Sequence, residues 1–344
     1  MALDNPVTVL GGLATECDRS PSAQPPGLVT PTLLEVIRNE NHYRSRNWER
    51  EVATRYVLGF RDAVVEASFF QHYQNSHHVK DVVELPTSFG CPVGCRHCAS
   101  AFLRASRQLR FEELIGSFEF IAERHAVQNS DRVLVTFSGI GEGAFQKPNL
   151  SATCRAISSA YPRAYFTLTT VGFDPSFVSF AALLAREIEL HYLQISYLHY
   201  EQRMLLQIIP RAEMLGFDFE KLVEAIRRER DVNVRLNYVV ISRFNDSRQD
   251  AEGVAARLEG LQDRLVLRVS RLNETEPSKL YSLIPPTVDA VLAVRDVFRN
   301  RGFTAYEFVA ARNDNLNCGQ LAGTYKRMGG HTSSVSESGD QSDG

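Results

Sequence analysis

Long apolar runs are missing from this chain of 344 residues. A membrane-spanning helix needs about 20 consecutive apolar residues, and no stretch approaches that length, so we expect no membrane partner. The first residues, MALDNPVTVLGGLATECDRS, also lack the basic start and the apolar run of a secretory signal. These two absences favour a cytoplasmic protein.

An excess of basic residues is missing as well. The chain has 38 Lys and Arg against 41 Asp and Glu, a formal net charge of −3. Proteins dedicated to nucleic-acid binding usually carry a basic domain or stripe, because neutralising phosphates supplies much of their affinity. The composition therefore gives nucleic-acid binding no support.

Cysteines are few, but three of the six fall within eight residues, in GCPVGCRHC. Clustered cysteines without an export signal indicate metal binding rather than disulfides. The C-x3-C-x2-C spacing of Cys91, Cys95 and Cys98 is typical of radical S-adenosylmethionine (SAM) enzymes, where three thiolates hold a [4Fe-4S] cluster and one iron stays open. A structural zinc site is the alternative, with His97 as the nearest fourth ligand, but the chain has no second CxxC pair.

Strand and helix patterns alternate from residue 82 onward. We expect apolar strands over 82–89, 132–139, 164–170, 190–198, 233–242, 264–272 and 304–311, separated by amphipathic helices. Repeated βα units imply a parallel sheet covered by helices. The predicted fold is α/β, a partial (β/α)6 radical SAM barrel with a short N-terminal extension of helix and β-hairpin.

The predicted domain boundaries follow from composition. Residues 1–30 and 327–344 are rich in small and polar residues, which favours disorder. Residues 31–81 form the extension, with short helices over 31–58 and a hairpin strand at 63–70, and the barrel occupies 82–326. The cysteine loop follows the first barrel strand, at the strand end where function collects in βα barrels.

Two further motifs lie at strand ends. SGIGEGA (138–144) follows the second barrel strand, where a glycine backbone can approach the methionine part of SAM and Glu142 can accept from its ammonium. NDNLNCGQLAG (313–323) follows the last strand and holds Cys318 between flexible residues. A lone cysteine is usually a buried apolar residue, and we interpret Cys154 in that way, but the loop of Cys318 can reach the barrel mouth.

Together these stretches resemble the RlmN/Cfr-like (class A) family of radical SAM methyltransferases, which methylate adenosine in RNA. The resemblance runs from about residue 60 to 326, and CGQLAG is its most specific part. It implies a [4Fe-4S] cluster, SAM, and an electron donor of the flavodoxin or ferredoxin type. It also implies that one SAM methylates Cys318, and that a radical from a second SAM then passes this carbon to an sp2 carbon of the substrate.

The resemblance further assigns SAM contacts and a proton acceptor. The SAM contacts are Gly141, Glu142, Thr169, Ser196 and Asn273, and either Tyr197 or His199, depending on whether Tyr197–Leu198 or Leu198–His199 continues the family signature. Glu66 resembles the family's proton acceptor, and its alternative interpretation is a solvated strand residue.

Glu84 departs from the family pattern, because it stands where RlmN and Cfr have a further cysteine that helps to release the product. Glu84 or Glu66 is then the expected base. The family's basic N-terminal helical module is also not recognisable here. We therefore expect methyl or methylene transfer to a small nucleobase-like or heteroaromatic substrate, with methylation of adenosine in rRNA or tRNA as the alternative. A non-catalytic iron–sulfur protein that binds SAM is the remote alternative.

Overall fold

The computed structural model of the chain describes residues 29–42, 49–103 and 106–308. Cys17, Cys318 and most of the two terminal segments that we predict to be disordered lie outside these residues. Among the described helices, none combines the length and the apolar character needed to cross a bilayer.

Ten strands form one sheet in the described part of the chain, in the order β1-β2-β3-β4-β7-β8-β9-β10-β11-β12. These strands are β1 (Thr32–His42), β2 (Arg50–Phe60), β3 (Ala63–Gln74), β4 (His77–Glu84), β7 (Val133–Phe137), β8 (Ala164–Thr170), β9 (Leu190–Tyr197), β10 (Val234–Val240), β11 (Leu265–Arg271) and β12 (Thr304–Phe308). Two short strands, β5 (Ser88–Phe89) and β6 (Arg107–Gln108), pair separately.

Eight α-helices connect the strands in the described residues. They are α1 (Phe111–Arg124), α2 (Lys147–Ala160), α3 (Ser176–Leu184), α4 (Gln202–Ile208), α5 (Phe219–Arg228), α6 (Arg248–Arg257), α7 (Glu276–Leu280) and α8 (Val288–Asn300). Polar side chains cap several of them: Asp218, Ser247 and Thr287 each accept from the N–H three residues on, at the starts of α5, α6 and α8.

Strands β4 and β7 to β12 are parallel, and their carboxyl ends share one edge of the sheet. Side chains alternate between the two faces. One face is apolar and packs against the helices, with Val135, Phe166, Leu193 and Leu236 fully buried in the main core. The opposite face, here named the inner face, carries mostly polar side chains. The predicted α/β class and partial barrel are confirmed.

The predicted helices over 31–58 are wrong, because this segment forms the antiparallel strands β1 and β2. Leu34 and Ile37 share a helical spacing, but both pack with Val57 and Val64 in a small cross-strand cluster. β2 adds its full length to β3, so tertiary pairing overrides a weak local pattern. The β3–β4 hairpin is confirmed, and its turn residues Asn75 and Ser76 both adopt positive φ, as a type I′ turn requires.

Candidate active site

The cysteine loop follows β4, at the carboxyl edge of the parallel strands. Its outer side is fixed by hydrogen bonds from elements far along the chain. The N–H of Arg96 donates to Ile208 O at 2.8 Å, and the Thr275 hydroxyl donates to His97 O at 2.9 Å. The Arg211 guanidinium donates to Pro92 O at 2.8 Å. The loop is therefore held between the end of α4 and the start of α7.

The three cysteine thiols lie close enough to interact electrostatically. Burial, followed by the neighbouring Cys98 thiol, raises the pKa of Cys91 to about 12. Burial also raises the pKa of Cys95, and both other thiols and Glu142 add to that shift. Such an arrangement disfavours free thiolates and suits a bound cation, whose charge offsets their repulsion.

The loop residues fit an iron–sulfur cluster better than a zinc ion. Backbone N–H groups of Val93 and Gly94 point at the Cys91 sulfur, and hydrogen bonds to cysteine sulfur are one of the means by which proteins tune such clusters. Within the described ranges, no three His, Cys, Asp or Glu side chains converge on a single metal ion. A four-iron cluster spreads its ligands more widely, since each thiolate binds a different iron.

His97 lies in the cysteine loop, directly before Cys98. Its pKa is lowered to about 4 by burial, so the imidazole is neutral at physiological pH. Its Nδ1 is buried and has no hydrogen-bond partner there. A neutral flat ring at this position agrees with packing beside a bound cofactor.

Gly141 follows β7, and its backbone lies close to Thr87 and Ser88, just before the cysteine loop. Its φ is +119°, a conformation that side chains other than hydrogen rarely adopt. A Cβ here would overlap the Thr87 and Ser88 hydroxyls and lie 2.8 Å from Ser88 N. The glycine is therefore required by both conformation and space.

We predict that Gly141→Ala lowers the free energy of unfolding by about 3 kcal/mol or more, because strain and overlap with backbone add. Gly216→Ala is the matched control: its φ is +73°, but a Cβ added there would have no atom within 4 Å, so only about 1 kcal/mol is lost. Urea unfolding of both variants measures the difference, and equal losses would refute the close-approach argument.

Glu142 joins two loops at the carboxyl edge. Its carboxylate accepts from Ala144 N at 3.0 Å and from Val171 N at 2.8 Å, so it ties the loop after β7 to the loop after β8. Burial raises its pKa. The Thr170 side chain is a third hydrogen-bond partner. A carboxylate has about four lone pairs, so this fixed group can still accept from an ammonium placed above the edge.

Three other predicted SAM contacts lie on strands, where the alternation of side chains assigns each of them to one face of the sheet. Thr169 and Ser196 lie on the inner face, and the Ser196 hydroxyl accepts from Asn237 at 3.4 Å. Tyr197 points to the helix side, where it is 2% exposed and stacks on Phe219 at 4.3 Å. The side chains of Thr169 and Ser196 therefore share the inner face, and the side chain of Tyr197 does not.

The remaining two predicted contacts lie beyond strand ends. His199 is buried after β9, where its Nδ1 accepts from Glu201 N at 3.0 Å and its Nε2 lies 3.3 Å from Asp250. Its side chain is therefore engaged with α6 rather than with the inner face. Asn273 lies two residues beyond β11, at the same edge as Glu142.

A polar row crosses the inner face below the cysteine loop. Strand registers place Arg55, Ser68, Glu84 and Thr136 opposite one another on β2, β3, β4 and β7. The Glu84 carboxylate accepts from the Ser138 hydroxyl at 2.7 Å. The Ser68 hydroxyl is fully buried and has no partner among the described residues. A polar row of this kind suits a bound polar molecule or water.

Glu66 lies next to this row on β3 and is 3% exposed. Its Oε1 is 3.7 Å from an Arg55 guanidinium nitrogen, a buried ion pair. The solvated interpretation of Glu66 is therefore wrong. The predicted helix over 31–58 does not identify Arg55 as a site residue. The strand β2, in register with β3, places it on the same face as Glu66.

Comparison with known proteins adds sequence and structural relatives. No protein-family model matches the chain. A probable dual-specificity RNA methyltransferase RlmN from Dictyoglomus turgidum is 25% identical over 75% of this chain and 73% of its own. A probable dual-specificity RNA methyltransferase RlmN from Prochlorococcus marinus is 26% identical over 71% of this chain and 68% of its own. A radical SAM methyltransferase structure from Sphaerobacter thermophilus aligns with a TM-score of 0.63 at 20% identity, covering 85% of this chain and 80% of the other, and shows the fold.

The cysteine loop at the carboxyl edge of a partial barrel, with these relatives, defines a radical SAM methyltransferase. Such an enzyme uses a [4Fe-4S] cluster and SAM. The chain's sequence resembles the RlmN enzymes of the RlmN/Cfr-like family and diverges from them, at about 25% identity. Cys91, Cys95 and Cys98 would hold the cluster, whose role when bound is to bind SAM and supply the electron that cleaves it.

Proposed function

We propose that this enzyme methylates an sp2 carbon of adenosine in RNA, with Cys318 as the carrier of the methyl carbon. The observation that carries the proposal is the pair of curated relatives, named as RNA methyltransferases, that align over about 70% of both chains. β12 is parallel to its neighbour and ends at the carboxyl edge, and Cys318 follows it by ten residues, so the chain is long enough to place this cysteine over that edge.

The chain's own residues supply the proton transfer in this proposal. A substrate carbon that has bonded to the Cys318 methylene must lose its proton to become sp2 again. Glu84 lies on the inner face at the end of β4, and its partner Ser138 is a hydroxyl that can pass a proton onward. Glu66 is instead paired with Arg55. We therefore assign Glu84 as the base and Glu66 as a group that positions Arg55.

A small nucleobase-like or heteroaromatic substrate is the second candidate. It is favoured by Glu84 itself, which stands in place of the cysteine that RlmN and Cfr use for product release. A changed release step agrees with a changed substrate. The two candidates share the methylated cysteine and differ only in what is methylated.

Incubation with total RNA and methyl-labelled SAM separates these candidates. The reconstituted enzyme is kept anaerobic, and the RNA is digested to nucleosides for mass spectrometry. We expect label in methyladenosine. Unlabelled RNA, in a sample where SAM is cleaved and Cys318 is methylated, would overturn the RNA proposal and favour the small molecule. A Glu84→Gln variant should methylate Cys318 normally but remove the proton of the substrate adduct about 100-fold more slowly, so this adduct should accumulate on Cys318.

A further inference from the structure

Basic and aromatic side chains lie together on the part of the inner face that is remote from the cysteine loop. Two cations cover the Tyr165 ring of β8: the Arg132 guanidinium lies 4.3 Å and the Lys80 ammonium 5.7 Å from its centre. On the neighbouring strands, the Arg235 guanidinium lies 4.9 Å from the centre of the Tyr192 ring. We name four cations the inner basic cluster: Lys80, Arg132, Arg235 and Arg268.

Gln194 brings two arginines of this cluster together. Its Oε1 accepts from Arg235 Nε at 2.9 Å and from an Arg268 guanidinium nitrogen at 3.4 Å. Arg268 also lies 3.5 Å from the centre of the Phe308 ring. The Arg235 guanidinium has five N–H donors, and its bond to Gln194 uses one of them. Two positive charges are therefore held around one neutral amide oxygen.

The cations of the cluster lie close enough to repel one another. Burial, followed by the charges of Arg235 and Arg132, lowers the pKa of Lys80 to about 8. In the part of the chain that the structure describes, neither Lys80 nor Arg235 forms an ion pair with a carboxylate. A bound anion would offset this repulsion, because an opposite charge favours the charged form of each group.

The carboxylates around the cluster are fewer than its cations, and they have other partners. Arg132 pairs with Glu189, and both side chains are exposed. On the neighbouring strands, Glu51 is buried and bonded to His72 at 2.9 Å and to Asn41 at 3.2 Å. Other carboxylates lie nearer the cysteine loop or pair elsewhere: Glu66, Glu84 and Asp131. The cluster therefore keeps a positive charge.

We propose that the inner basic cluster binds a phosphate group of the methyl acceptor. A phosphate has several acceptor oxygens and can accept from cations on different strands, whereas one bidentate arginine is enough for a carboxylate. An extended RNA strand needs cations that follow successive phosphates along a surface. The cluster lies inside the barrel, so it fits one phosphate, either of a free nucleotide or of a single RNA nucleotide that enters the barrel.

Tyr192 relates this cluster to the proposed base. The strand registers place Tyr192 in one cross-strand row with Thr167, Thr136 and Glu84, so its backbone lies three strands, about 14 Å, from that of Glu84. Side chains that point into the barrel shorten this distance, so one nucleotide can reach both Glu84 and Arg235. The inference rests on the proposed function, because it takes the methyl acceptor to be a nucleotide.

The test compares a double variant, Lys80→Gln with Arg235→Gln, with a matched control, Lys221→Gln with Arg228→Gln. The control removes the same charge from exposed side chains of α5. A third variant, Arg235→Lys, keeps the charge. Calorimetry measures the binding of adenosine, AMP and a short single-stranded RNA to the reconstituted enzyme. Saturating SAM is present without a reductant, so the probes do not occupy the SAM site.

We expect the parent to bind AMP or the RNA about tenfold more tightly than adenosine, and the double variant to lose this difference. The control and Arg235→Lys should keep it. A loss for AMP alone identifies a free nucleotide as the ligand, and a loss for RNA alone identifies a backbone phosphate. Equal binding of all three probes by the parent, a difference that the double variant keeps, or an equal loss in the control would overturn the proposal.

A second measurement uses only the parent and does not depend on how the variants fold. Brief acetylation followed by peptide mass spectrometry reports the reactivity of Lys80 and of Lys221. The phosphate probe that binds should slow acetylation of Lys80 and leave that of Lys221 unchanged, whereas adenosine should affect neither. Unchanged acetylation of Lys80 would overturn the site. Protection of Lys80 without any methylation of RNA would reject the proposed function and keep the site.

Discussion

Replacing Cys95 with alanine should remove the iron from this protein and reduce SAM cleavage to background. Cys95 is buried between the other two thiols of the loop, and its sulfur interacts with both. Two thiolates cannot hold the cluster in place of three, so we expect the parent to bind about four irons per chain and the variant to bind almost none. Iron analysis, visible absorption and mass spectrometry of 5′-deoxyadenosine measure the three consequences.

Cys154→Ala is the matched control, because Cys154 is a fully buried cysteine on α2 in the main core. Loss of its sulfur leaves a small cavity that costs about 1 kcal/mol but does not touch the cluster loop. This variant should keep its iron and its activity. A Cys95→Ala protein that keeps the cluster, or a Cys154→Ala protein that loses it, would contradict the assignment of ligands.

The barrel could be predicted from sequence because its signal is repeated. The parallel strands are short segments that are rich in apolar and β-branched residues, and amphipathic helices such as α1 and α5 lie between them. β1 and β2 offer no such repetition. Over a few positions, their apolar residues fit the period of a helix as well as that of a strand. The strand conformation is selected by pairing of β1 with β2 and of β2 with β3, contacts that the local sequence does not encode.

Some parts of the candidate site could likewise be predicted from the sequence, and others could not. The cysteine spacing alone identifies the cluster ligands, because three residues within one loop carry the signal. The contacts that hold the loop could not be foreseen, since Thr275 and Ile208 lie over 100 residues away and belong to the ends of short helices. Strand alternation alone could have separated Ser196 from Tyr197, because neighbouring residues of β9 face opposite sides of the sheet.

Cys318→Ser should abolish methyl transfer while SAM cleavage continues. Cys318 lies outside the described residues, and its role comes from the family resemblance of CGQLAG. Serine has a similar size but a far less nucleophilic atom at neutral pH, so it should not accept the methyl group that the cysteine receives. The cluster and the SAM contacts are not altered by this change, so 5′-deoxyadenosine should still form.

Peptide mass spectrometry tests this prediction directly. In the parent, the peptide that contains Cys318 should carry the mass of one methyl group, and incubation with substrate should remove or extend it. In Cys318→Ser the mass should stay unmodified and no methylated product should appear, whereas Cys17→Ser should behave as the parent does. Methylated product from Cys318→Ser would show that carbon reaches the substrate without a cysteine carrier, and would leave the cluster as the only part of the family mechanism that this enzyme keeps.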